Sequence, residues 1–248
     1  MHNPFALIGK TILVTGASSG IGRTIAIECS RLGADIILTG RNESRLQETL
    51  SQLKEGQHKY IVADITIEED IITLVEQLPT LTGCVHSAGI LGLIPIQAIT
   101  KAKINEFELI NLHAPILLTK QLLKRKKLAK NSSVVFISSA AGVYRVSTAN
   151  ALYAVTKNGL DAFMRSAALE LASKNIRFNS VNPAMIETEA LSNIPISKEQ
   201  KNANLAQYPI RRYGKPEEVA YATIYLLSDA SAWTTGTEIK LDGGLTLS

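Results

Sequence analysis

The sequence predicts an α/β protein: a doubly wound parallel sheet of about seven strands with helices on both faces, in one domain spanning residues 1–248. Three observations predict it. Short apolar or β-branched runs recur with helical patterns between them, the order of parallel βαβ units. The first run leads directly into a glycine-rich turn and then a helical pattern. The residues with chemistry to offer fall at the carboxyl ends of the runs, where such a sheet has its ligand crevice. At 248 residues and 46% hydrophobic, the chain can bury a core of that size.

Thr11-Ile-Leu-Val-Thr15 is the first strand. Gly16-Ala-Ser-Ser-Gly20-Ile-Gly22 follows, and then helical spacing through Ile25, Ala26 and Cys29. Glycines let a backbone approach a pyrophosphate closely, and a helix N-terminus offers it free amides. The same residues also read as Gly-x-Ser-x-Gly, the elbow of a serine hydrolase with Ser18 as nucleophile. An elbow needs earlier strands and a late histidine. Nothing precedes this strand, and the later histidines, His58, His86 and His113, all lie before the C-terminal half.

Asp35–Arg41 reads as a second strand ending in a turn, Glu43–Lys54 as a charged helix, Tyr60–Asp64 as the third strand and Gly83–Gly89 as the fourth. A helix is predicted from Ile104 to Leu128, bent by Pro115 and holding Asn111 as a buried polar residue. Ser133–Ser139 is the fifth strand, closed by two hydroxyls. Ile176–Pro183 is the sixth, Pro216 opens a helix at its first turn, and Thr237–Leu241 is the last. The weakly periodic stretch 184–212 suits a lid over a substrate.

Tyr153-Ala-Val-Thr-Lys157 heads a long alanine-rich helical run. Four residues make about one turn, so both side chains leave one face. An ammonium within about 4 to 6 Å favours a phenolate, which predicts a lowered pKa for Tyr153 and a pair able to move a proton at a substrate oxygen.

Composition narrows the alternatives. Net charge is +4 with both signs interspersed, and the basic cluster Lys124–Lys127 with Lys130 reads as a solvated helix end, not a nucleic-acid surface. Cys29 and Cys84 suggest neither a disulfide framework nor a metal site. Without a signal peptide or spanning stretch, the expectation is a cytoplasmic protein with no membrane partner.

Thr15-Gly16-x-x-x-Gly20-x-Gly22, Asp64, Ala88-Gly89, Asn111, Ser139, Tyr153-x-x-x-Lys157, Asn182-Pro183 and Asp242-Gly243-Gly244 occur in the order found in the short-chain dehydrogenase/reductase family, which the chain resembles from Gly9 to Gly244. Arg212–Ala220 and the Asp-Gly-Gly end look most like the 3-oxoacyl-(acyl carrier protein) reductase-like members. The resemblance implies a Rossmann fold and a carbonyl–alcohol oxidoreductase. It implies Tyr153 as general acid or base, Lys157 holding the nicotinamide ribose and lowering the tyrosine's pKa, Ser139 bonding the substrate oxygen, and Asn111 anchoring a relay water. It places the cofactor along Gly16, Ser18, Ser19, Gly20, Ile21, Gly22, Arg41, Asp64, Ile65, Ala88, Gly89, Tyr153, Lys157, Pro183, Ile186 and Thr188.

The chain departs from the family in three places. His86-Ser87 stand where Asn-Asn is usual, and His86 reads as a structural replacement satisfied by backbone. Ala184 stands where glycine follows the proline. Ser139 and Tyr153 are one residue further apart than usual, so Ser138 also remains a candidate.

Gly40-Arg41 ends the second strand where an NAD site carries an acid, which predicts NADP(H) in preference to NAD(H). Glu43 and the absence of a base at Ser19 count against it. The small-molecule substrate, a carbonyl or an alcohol, is expected among Leu91, Leu93, Ile94, Val143, Tyr144, Met185, Ile186 and Leu191, with Arg145 and Asn150 as polar contacts. Trp233–Gly236, the last strand and the helices around Leu117 and Phe163 suggest a homotetramer. A non-catalytic cofactor sensor is the alternative from another class.

Overall fold

The computed structural model of the chain describes residues 3–189 and 197–247. Its strands are β1 Thr11–Thr15, β2 Asp35–Gly40, β3 Lys59–Val62, β4 Leu81–His86, β5 Leu128–Ile137, β6 Arg177–Pro183 and β7 Glu238–Leu241. They form one parallel sheet in the order β3-β2-β1-β4-β5-β6-β7. The chain winds outward from β1 to β3, then returns to lay β4 on the other side of β1. That reversal opens a crevice at the carboxyl ends of β1 and β4.

The helices among the described residues are α1 Gly20–Arg31, α2 Glu43–Leu50, α3 Glu68–Gln77, α4 Lys101–Glu108, α5 Ala114–Lys124, α6 Ala151–Leu171, α7 Lys198–Ala206 and α8 Pro216–Leu227. Both faces of the sheet are covered, and this is why the central strands read as continuous apolar runs. On β1, Leu13 packs with Ile71, Leu118 and Leu160 from α3, α5 and α6. Ile12 and Val14 pack on the opposite side with Ile25 of α1 and Val219 of α8. On β5, Val134 and Phe136 join the first layer, and Val135 and Ile137 the second. None of the described helices is long and apolar enough to cross a membrane.

Several predicted boundaries move. The charged helix stops at Leu50 because, after the Ser51 amide, those of Gln52 and Leu53 form short turns and the Lys54 amide is taken by Ser30 Oγ at 3.0 Å. The long helix predicted from Ile104 to Leu128 is two helices joined by a π turn at Leu109–His113, where the Ala114 amide reaches the Leu109 carbonyl. Pro115, which cannot donate an amide bond, sits in the first turn of α5 just after it. The run ends at Lys126, whose φ is +52°, and Leu128 already belongs to β5, paired with Leu81.

Of the basic cluster only Lys124 lies in the last helical turn. Arg125 pairs with Glu76 at 2.9 Å, and Lys127 donates to the Leu78 carbonyl. Ser138 and Ser139 lie past the end of β5, and Ser87–Gly89 lie past β4. The predicted lid segment includes α7, which opens on a reciprocal Ser197–Gln200 cap. Its residues 190–196, Leu191 among them, lie outside the described residues.

Candidate active site

The crevice begins at the glycine turn. Gly16 has φ +66°, and a Cβ there would lie 2.8 Å from Ala88 Cα, so only glycine lets β1 pass this close to the end of β4. A Cβ on Gly22 would meet the Gly16 carbonyl at 2.4 Å. Thr15 fastens the same junction, its Oγ1 accepting from the Ser87 and Ala88 amides at 3.1 and 3.2 Å. Ser19 is the N-cap of α1 in extended conformation, yet its side chain makes no capping bond. The first amides of α1 are left for an anion.

Around this turn lies a cavity of about 350 Å³. Gly16, Ser18, Ser19, Gly20, Ile21, Gly22, Arg41, Asp64, Ile65, Ala88, Gly89 and Thr188 all border it. A second cavity, of about 420 Å³, is bordered by Ser139, Tyr153, Lys157, Pro183, Ile186 and again Ile21, Gly89 and Thr188. The shared residues make the two cavities one cleft. Uncapped amides at its middle, a guanidinium at one end and an ammonium at the other fit a dinucleotide, whose pyrophosphate needs the first and whose ribose phosphate or hydroxyls need the others.

Arg41 is exposed and lies 3.8 Å from Asp64 Oδ2. Asp64 Oδ1 accepts from the Thr66 amide and hydroxyl at 3.0 and 2.7 Å, which holds the turn after β3. Glu43 is turned away, accepting from the Tyr60 hydroxyl at 3.0 Å. Ser18 borders the cavity, but His86 is committed to Thr119 and His58 to the backbone of Ile36 and Lys54, so neither can serve as its base.

Tyr153 and Lys157 leave the same face of α6, with Lys157 Nζ 5.8 Å from the centre of the phenol ring. Nζ donates to the Ile137 carbonyl at 2.8 Å. Burial is the largest influence on the Lys157 pKa and pushes it down, an effect that a negative charge on Asp161 would oppose. Tyr153 differs from expectation. Burial raises its pKa, and the facing Ser139 hydroxyl lowers it only in part. The ammonium lies over the ring and is bonded elsewhere, so desolvation outweighs it.

Ser138 and Ser139 are separated by the strand's alternation. Ser139 faces Tyr153 and the cleft, its Oγ accepting from the Ala141 amide at 3.1 Å. Ser138 also borders the larger cavity, but its Oγ turns inward, 3.1 Å from the Lys157 carbonyl and 2.9 Å from Asp161 Oδ2.

Asn111 is buried behind the cleft and does not border it. The π turn aims it at the loop after β4, where it accepts from the Ile90 amide at 2.8 Å and donates to the Ile90 carbonyl at 3.0 Å. π turns concentrate at functional sites. A Cβ on Gly89 would lie 3.0 Å from Asn111 Oδ1 and 3.4 Å from Lys157 Nζ, so the two side chains converge on one point.

His86 is buried, stacked on Phe136 at 4.8 Å. Its Nε2 pairs with the Thr119 hydroxyl at 3.0 Å, not with backbone.

Leu91, Leu93, Met185, Ile186, Arg145 and Asn150 border the larger cavity. Ile94, Val143 and Tyr144 do not; Val143 is exposed, and the Tyr144 hydroxyl donates to Glu238 at 2.9 Å. Asn204, Gln207 and Tyr208, from the predicted lid segment, also border it, as do Tyr213 and Leu245, which the sequence did not single out. Arg145 ties these together, donating to the Leu245 carbonyl at 3.0 Å and to Gln207 Oε1 at 2.6 Å. Their separation in sequence hid them.

Residues 16–246 match the family model described as enoyl-(acyl carrier protein) reductase. The chain is 35% identical to L-xylulose reductase of Caenorhabditis elegans, with 95% of each chain covered. It is 32% identical to the 3-oxoacyl-(acyl-carrier-protein) reductase FabG of Pseudomonas aeruginosa, covering 98% of this chain and 100% of that one. A short-chain type dehydrogenase/reductase of known structure from Mycobacterium ulcerans superposes with a TM-score of 0.88 at 31% identity, over 98% of this chain and 91% of that one. The sheet order, the glycine turn and this end-to-end likeness lead to one conclusion: the chain belongs to the short-chain dehydrogenase/reductase family, NAD(P)-dependent oxidoreductases acting on CH–OH groups.

Proposed function

We propose that the protein interconverts a carbonyl and a secondary alcohol with NADP(H), using Tyr153 as general acid in reduction and as base in oxidation. The observation that carries this reading is the Tyr153 phenol in the cleft, facing Ser139, with the Lys157 ammonium 5.8 Å from its ring. The glycine turn, Arg41 and Lys157 would hold the cofactor, which supplies or accepts the hydride when bound.

The chain's own residues manage the proton and the growing charge. Ser139 orients the carbonyl oxygen by hydrogen bonding, and Tyr153 donates its proton to that oxygen as it becomes an alcohol. A phenol with a raised pKa keeps its proton at neutral pH, the form reduction requires. Lys157, whose pKa burial lowers, stabilises in its charged form the phenolate left behind. Asn111 holds the loop at Gly89, next to Lys157, where a relay water could be anchored.

The test is NADPH oxidation with a panel of simple ketones, 3-oxoacyl thioesters and keto-sugars, the last two suggested by the names of the relatives. Turnover of a panel carbonyl supports the reading. No turnover by a folded, NADPH-binding protein with any of them contradicts it and favours the sensing module.

A further inference from the structure

Four residues beyond Lys157, on the same face of α6, lies Asp161, only 1% exposed. Its Oδ2 accepts from Asn182 Nδ2 at 2.8 Å and lies 2.9 Å from Ser138 Oγ. Among the described residues its Oδ1 has no hydrogen-bond partner. Asn182 Nδ2 also reaches the Ser139 carbonyl at 3.3 Å, and Ser138 Oγ is 3.1 Å from the Lys157 carbonyl. One carboxyl group thus connects the end of β5, the end of β6 and the helix that carries Tyr153 and Lys157.

The protons in this cluster can be counted. Ser138 has one hydroxyl proton but faces two oxygens, and the Lys157 carbonyl can only accept. Both contacts are hydrogen bonds only if Asp161 carries a proton, donated to Ser138 Oγ while Ser138 donates to the carbonyl. Ser180, also near the carboxyl, is 2.7 Å from Asn182 Oδ1 and gives its proton there. Oδ1 is buried without a donor in either state, and a full carboxylate charge makes that more costly.

We propose that Asp161 is a positioning residue, held as a neutral carboxylic acid, that fixes the Ser139 strand end against the Tyr153–Lys157 helix. This rests on the reading of Tyr153, Ser139 and Lys157 as the reacting set.

A charge on Lys157 would favour the ionised form, but its ammonium donates to the Ile137 carbonyl at 2.8 Å. Glu238, which is paired with Arg165, lies near enough to disfavour a second negative charge. Burial adds the largest push in the same direction.

Two measurements test the proposal. Infrared difference spectra of wild type and Asp161→Asn, both with NADPH bound at neutral pH, read the carboxyl directly. A protonated-carboxyl stretch lost in the variant supports the neutral acid, and absence of such a band overturns it. This needs no turnover. Rates are then compared with the panel carbonyl that wild type reduces fastest. Asp161→Ala should lower kcat about 10²-fold with KM little changed, the effect of misplacing reacting groups by about 1 Å. Asp161→Asn, which keeps the shape and a donor to Ser138, should remain within about tenfold of wild type, the loss of one hydrogen bond. Equal kcat in folded Asp161→Ala, or an Asn variant as slow as a folded Ala variant, overturns positioning. Tyr153→Phe serves as the control: if it retains the wild-type rate, the reading of the reacting set has failed, whatever the infrared spectra show.

Discussion

At the scale of one residue, Arg41 is the proposed selector of NADP(H) over NAD(H). It stands exposed at the end of β2, next to Gly40, and the carboxylate that might have spoiled the site, Glu43, is bonded to Tyr60. A guanidinium can meet a 2′-phosphate in a charge-assisted bidentate contact worth roughly 1.5 to 3 kcal/mol, or about tenfold to a hundredfold in affinity. Titration with NADPH and NADH should show that preference, and Arg41→Ala should remove it. Equal affinities in wild type, or a preference that survives the substitution, would exclude Arg41 as selector. Both the position and the type of Arg41 were legible in the sequence, because the glycine turn fixes where β2 must end. The choice between Ser138 and Ser139 was not. It depends on which hydroxyl the pleat turns toward the cleft, and Ser138 is engaged instead with Asp161. Nor did spacing reveal Asp161, whose role comes from strands that meet it only in the fold.

Elements were legible where a turn signal marked them, as at Gly16–Gly22 and Pro216. The run from Ile104 to Leu128 has no internal glycine, so its periodicity concealed both the π turn that aims Asn111 and the early start of β5. At this scale β4 carries a prediction through His86. Burial pushes its pKa down from 6.5 to about 3, with Phe136 stacked on the ring and Thr119 bonded to it. Below pH 6.5 the unfolded chain takes up a proton that the folded chain refuses until about pH 3, so stability is lost as pH falls through that window. His86→Asn removes this term. The melting temperature of wild type should therefore fall more steeply between pH 7 and 4.5 than that of the variant, whatever their values at pH 7. Parallel slopes would contradict a neutral buried histidine.

The whole molecule was the most legible level, because alternating strands and helices with chemistry at the strand ends allow few topologies. Its surface was less so. Leu117 and Phe163 pack against the core, whereas Val155 and Leu169 of α6 and the fully exposed Trp233 present the apolar surface. Exposed groups of this kind on a symmetric assembly are buried by closure. Light scattering at micromolar concentration should give a mass near four times 26.8 kDa, with a monomer mass excluding the tetramer. The arrangement converges on the Tyr153 phenol, and the most direct measurement is kcat for carbonyl reduction by Tyr153→Phe against wild type, with NADPH affinity measured on the same samples. Loss of the proposed proton donor should lower kcat by about 10² to 10⁴ while cofactor binding persists. A Phe variant that turns over at the wild-type rate would contradict the mechanism.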